Sequence, residues 1–219
     1  MGWLSNALDF IVRGGPVMVP LVTCSIIAVT VIFERLMTVR AALSDTTGLS
    51  RKVEDYLYNG KADKAIALCE ITQCPVASVM AAGISNSRFG VDGAERAMVD
   101  QATKEMNTLT VRLPWLDTII TIAPLLGLLG TVTGMIRSFH VISSKAGIGT
   151  PTAITGGVAE ALIATATGLA IAIVSLVFYN ALNEKIKQII SNMESAGTQI
   201  TNVLSDIREQ RDEVKILSA

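Results

Sequence analysis

The chain has 219 residues, half of them hydrophobic, 17% charged and only 5% aromatic, with a mean hydropathy of +0.50. Aliphatic and alanine-rich apolar content of this kind suits helices packed in lipid better than an aromatic-rich soluble core. A net charge of −1 gives no argument for nucleic acid, and the single histidine, His140, by itself excludes most histidine-based metal or triad chemistry.

Residues 1–13 form a short N-terminal segment. Residues 14–33 then give 20 positions without a charge, between Arg13 and Glu34. A membrane helix needs about 20 mostly apolar residues, so this is the first predicted span. It lacks a small-residue cleavage site and is followed directly by Glu34 and Arg35, so it reads as a retained signal anchor.

Residues 34–117 read as a helical domain. Asn59-Gly60 is a helix stop, and Lys61-Ala62-Asp63 opens a helix with Ala65, Leu68 and Ile71 at helical spacing. Cys74-Pro75 breaks it, residues 76–84 form a short apolar helix, and Phe89-Gly90 through Gly93 marks a turn. From Ala94 the apolar positions Ala97, Met98, Ala102, Met106 and Leu109 recur every three or four residues. That helix is expected to run on into the second span, bent at Pro114 and Pro124. Cys24, Cys69 and Cys74 are an odd count and fit no disulfide framework, and the spacing of the last two is not that of a zinc site. They are expected as reduced thiols, with no metal.

The second predicted span covers 118–142, uncharged from 118 to 136. A short turn follows at 143–157, then a third span at 158–183, uncharged from 161. The C-terminal helix, 184–219, carries a heptad-like stripe: Leu182, Ile186, Ile189, Met193, Gly197, Ile200, Leu204 and Ile207. It either packs on helices of its own chain or lines a symmetric bundle, and both readings stand. Lys and Arg set the orientation. Ten lie in the long loop, five in the tail and three (Arg13, Arg137, Lys145) on the other side. Loop and tail are therefore expected in the cytoplasm, and the N-terminus and short turn outside.

Within the second span, Gly127, Gly130 and Gly134 clear side chains from the helix, and Gly130 and Gly134 form a small-xxx-small pair suited to close helix approach. The third span is dense in Ala, Gly (Gly168 among them) and Thr, which predicts an interior helix. Glu160 is the one acid associated with a span. It is either solvated at the membrane edge or faces an ion path. Thr167 lies two turns from Glu160 on nearly the same face, whereas Thr165 points away. These threonines, with Thr131 and Thr133, either bond to their own backbone or form a polar row that supports water.

The stretch GLLGTVTGMI at 127–136 resembles the second-span signature of the ExbB/TolQ proteins, and GVAEALIATATGLA at 157–170 resembles their third-span signature. Three spans rather than four resemble ExbB or TolQ more than MotA. The resemblance implies an all-α membrane protein with three transmembrane helices and long cytoplasmic helical extensions. It implies a homopentameric ring in the bacterial inner membrane around the single spans of two ExbD- or TolR-like subunits, each with an essential aspartate. It further implies a motor, not an enzyme, that needs no cofactor. Protons, or alternatively sodium, drive work on a TonB- or TolA-like envelope protein. Tol-type envelope maintenance, gliding, or a self-sufficient channel or scaffold are the alternatives. Thr131, Glu160 and Thr165 match the family's pore-associated positions. Thr167 stands where many relatives carry an apolar residue, and its extra hydroxyl is suited to sodium. Five copies of Glu160 would concentrate negative charge at the outer end.

Overall fold

A computed structural model of the chain describes residues 14–43, 47–144 and 151–217. The predicted N-terminal segment before residue 14, and residues 145–150 of the predicted outward turn, lie outside the described residues. Among the described residues seven α-helices follow in order: α1 (Met18–Ala42), α2 (Thr47–Tyr58), α3 (Ala62–Thr72), α4 (Pro75–Asn86), α5 (Val91–Thr110), α6 (Leu113–Ser144) and α7 (Pro151–Leu217). A 3-10 turn, Ser87–Phe89, precedes α5. No strand occurs among the described residues. Three helical stretches, containing α1, α6 and α7, are long and apolar enough to cross a membrane.

The chain divides into two units. The first holds residues up to 34 together with 112–181. Its core joins Val17, Leu21, Ala28 and Val31 with Leu116, Ile119, Ala123 and Ala172. Larger apolar side chains, among them Ile26, Phe33, Leu125, Leu128, Ile136, Phe139, Leu162 and Ile173, point outward. An apolar core that is itself surrounded by large exposed apolar side chains fits a lipid surround. At one end of this unit Arg112 forms an ion pair with Glu34.

The second unit, 35–111 with 182–219, is built by short helices whose ends are chemically specified. Gly60, at φ +68, closes α2. Gln73, in the left-handed conformation, ends α3. Cys74 caps α4, its Sγ accepting from the Ala77 N–H at 3.4 Å, with Pro75 in the first turn where no intrahelical N–H is needed. Val76, Ala77, Val79, Met80 and Ile84 of α4 form the buried centre, with Ala94, Met98 and Leu109 of α5. Arg35 is buried and donates from Nη1 to the Thr108 carbonyl at 3.0 Å.

Two expectations are corrected. The helix that begins α5 does not continue into the second span. It stops at Thr110, and Val111 (φ −48, ψ 135) and Arg112 (φ +68) break the chain before α6. In an unbroken helix the Pro114 ring would strike the Thr110 carbonyl; with the break, Pro114 sits in the first turn of α6, where it is tolerated. Pro124, by contrast, lies within α6. In the tail, Leu182, Ile186, Ile189, Met193 and Ile200 are buried, but beyond Met193 the buried row passes through Ala196 and Val203, and Gly197 and Leu204 are half-buried. The buried row at 182, 186, 189, 193, 196, 200 and 203 keeps strict steps of four and three, a 3.5-residue repeat, whereas the expected stripe took two successive steps of four, from Ile189 to Met193 and from Met193 to Gly197. The row packs on helices of its own chain: Met193, Gly197 and Thr201 line one cavity with Val79, Met98 and Ala102.

Candidate functional site: the α6–α7 seam and its polar groups

Along α6, small residues recur at Ala123, Gly127, Gly130 and Gly134. Along α7 they recur at Gly157, Ala161, Ala164 and Gly168. Both series have spacings of four, three and four, which keeps each on one helix face. The structure sets the two faces together in antiparallel order. A Cβ placed on Gly130 would lie 2.5 Å from the Ala164 Cβ, and one on Gly134 would lie 2.7 Å from the Gly157 carbonyl oxygen and 2.9 Å from the Ala161 Cβ. One on Gly127 would lie 3.0 Å from the Thr165 Cα, and one on Gly168 would strike the Ala123 carbonyl oxygen. Backbone meets backbone here because nothing larger than a methyl stands between.

The polar groups hang from this seam. Thr165 donates its hydroxyl across it to the Gly127 carbonyl at 2.9 Å. In a regular helix that carbonyl also accepts from the Thr131 N–H, so the two threonines meet at one backbone oxygen. The Thr131 hydroxyl turns the other way, to the Leu128 carbonyl at 2.6 Å. Thr167 bonds to the Ile163 carbonyl at 2.8 Å, and Thr133 to the Leu129 carbonyl at 2.9 Å. Thr131, Thr133 and Thr167 thus satisfy their hydroxyls locally, and within one chain the four threonines and Glu160 do not form one hydrogen-bonded row.

Glu160 has a specific partner. Its Oε1 accepts from Arg137 Nη1 at 2.8 Å. The carboxylate side chain is 21% exposed and the guanidinium 54%. On another side stands Gly15, at φ +74, where any Cβ would collide with the Glu160 carboxyl. Within one chain the Glu160 carboxylate thus has a compensating guanidinium.

Sequence reasoning singled out the glycines and Thr165, and placed Arg137 only as an outward charge. It missed the Arg137–Glu160 pair, Gly15, and the alanine half of the seam. The signal for the alanines was present in the same four-three-four spacing. For Arg137 it lay in the antiparallel order, which puts the charged ends of adjacent spans at one level. Among the described residues no group of three or more His, Cys, Asp or Glu is placed to hold a metal ion.

Residues 72–195 match the MotA/TolQ/ExbB proton channel family. A Synechocystis protein named as an ExbB-like biopolymer transport protein is 31% identical over 203 residues, covering 91% of this chain and 80% of its own length. A second Synechocystis protein of that description is 33% identical over 217 residues, covering 91% and 96%. The Tol-Pal system protein TolQ of Haemophilus influenzae is 35% identical over 114 residues, covering 52% and 50%.

Proposed function

Because the chain belongs to the MotA/TolQ/ExbB proton channel family, we propose that it is the ring-forming, ion-conducting subunit of an inner-membrane motor. Five copies surround the single spans of two ExbD/TolR-like subunits. The N-terminus lies in the periplasm and the C-terminus in the cytoplasm. Protons moving down their gradient drive cycles of pairing between the ring and the partner's aspartate, and the resulting motion does work on a TonB-like envelope protein. Two relatives that cover most of this chain are named for biopolymer transport, which supports energised transport; Tol-type maintenance is the alternative.

The observation that carries the reading is the set of polar groups on the seam. In two otherwise apolar spans, Glu160 stands at one end and the Thr165 hydroxyl is held against the Gly127 carbonyl. Ionisable groups at membrane spans usually face a cavity, a partner or an ion path, which is what supports this role for Glu160. A threonine hydroxyl both donates and accepts, so Thr165 and Thr131 can order water or meet the partner's carboxyl. Deeper in the spans the chain offers no second acid, so a complete relay draws on the partner.

The test is ion flux in proteoliposomes, for the subunit alone and with its one-span partner. Flux is expected only with the partner, carried by protons rather than sodium, and reduced at least about tenfold by Glu160→Ala or Thr165→Ala. Flux from the subunit alone would make it a channel in its own right. Full flux in both variants would remove these residues from the pathway.

A further inference from the structure

The Arg137–Glu160 pair is built into the fold. Gly134 and Gly157 stand three residues before Arg137 and Glu160 respectively, Ala161 follows Glu160 directly, and these three small residues are in mutual contact across the seam. The two backbones are thus locked one helical turn from the charges, and the separation of the charged side chains is set by the seam rather than by chance encounter. The carboxylate is closed in on another side by the backbone at Gly15, where no side chain fits. It is also the less exposed member of the pair, 21% against 54%. The guanidinium is exposed enough for solvent to screen the attraction, so the pair is held by geometry more than by charge strength.

We propose that Arg137 is a positioning residue that holds the Glu160 carboxylate and controls cation entry at the outer end of the pathway. A cation and the guanidinium compete for one carboxylate, so entry requires the pair to open. In a ring of five chains, five carboxylates would carry five guanidiniums. The mouth would then exert little long-range pull on cations until partner contact or local motion frees a carboxylate. This deepens the ion-pathway reading of the same site and rests on it for its role in entry. The pairing itself rests on geometry alone.

Two measurements on the full complex with its one-span partner test it, using Arg137→Gln, which removes the charge, and Arg137→Lys, which keeps it. The first is the rate at which an apolar carbodiimide modifies Glu160 in membranes, read by mass of the peptide. Arg137→Gln is expected to label at least about fivefold faster than the parent, with Arg137→Lys within about twofold of it. Glu160→Asp, which retracts the carboxylate without removing either charge, should also label faster and serves if Arg137→Gln fails to assemble. Equal labelling in parent and variants overturns the pairing. The second is initial influx against outer cation concentration: the half-saturating concentration should fall by about threefold or more in Arg137→Gln. Faster labelling with an unchanged half-saturating concentration overturns the entry role. Faster labelling in a parent complex that carries no ions keeps the pairing, overturns the entry role and sinks the motor reading with it.

Discussion

Cys69, near the end of α3, is 2% exposed, and burial pushes its thiol from the usual 9.0 up to about 11, with Cys74 and Glu70 adding in the same direction. The folded chain holds this proton more tightly than the unfolded chain does. The contribution to stability is therefore fully present below about pH 9 and is lost as pH rises towards about 11. Denaturant titrations should show stability falling across that interval, with a shallower fall in Cys69→Ala; identical slopes would show that the thiol is not coupled to folding. Tyr58 titrates in the same direction, chiefly through the hydrogen bond it donates to Asp206 at 3.0 Å, so the comparison of slopes isolates the cysteine. The odd count of cysteines requires only one of the three to be unpaired; which of them lie near one another is not stated by the count. The partner of Glu160 was not legible either, because it lies 23 residues away on an antiparallel helix. Pairing at that distance depends on helix register, which composition and spacing do not state.

At the level of helices, the seam and the surface treat glycine in opposite ways. Gly130→Ala puts a carbon 2.5 Å from the Ala164 Cβ and should destabilise the protein by about 1–3 kcal/mol, since overpacking forces backbones apart. Gly48, within α2, has open space around its Cβ position, so Gly48→Ala should lie within about 1 kcal/mol of the parent, on the stabilising side. Thermal unfolding in detergent reads both, and a neutral Gly130→Ala would mean that the seam can spread without loss. Helix ends carried by Gly60 and Pro75 were legible, because those residues have few other roles. The break before α6 was not: Arg112 takes a positive φ that its side chain does not advertise. The tail stripe was legible as a pattern but not in its phase beyond Met193, since Gly197 and Leu204 read no less apolar than the adjacent Ala196 and Val203 and only packing decides between them.

For the whole molecule, the three apolar helices follow directly from the uncharged runs, since leaving a charge in lipid is more costly than almost any local preference. The proposed orientation follows from the distribution of Lys and Arg. With the native cysteines removed, Lys61→Cys should react with a membrane-impermeant maleimide in inverted vesicles and not in intact cells. Labelling in intact cells would turn the topology over. What composition did not specify was which face of each span meets which. That depends on the small residues, whose signature is the absence of a side chain and so is weak when each helix is read alone.

The seam also limits how this gene can drift. Every amino acid reachable from a glycine codon by one base change is larger than glycine. At 127, 130, 134 and 168 the added atoms meet backbone or an alanine carbon, so single missense changes there are met by a wall. Open routes are exchanges in tandem, in which one helix gains a methyl as the facing helix gives one up, as in Gly130→Ala together with Ala164→Gly. Neutral variation at these sites is therefore a property of codon pairs rather than of codons.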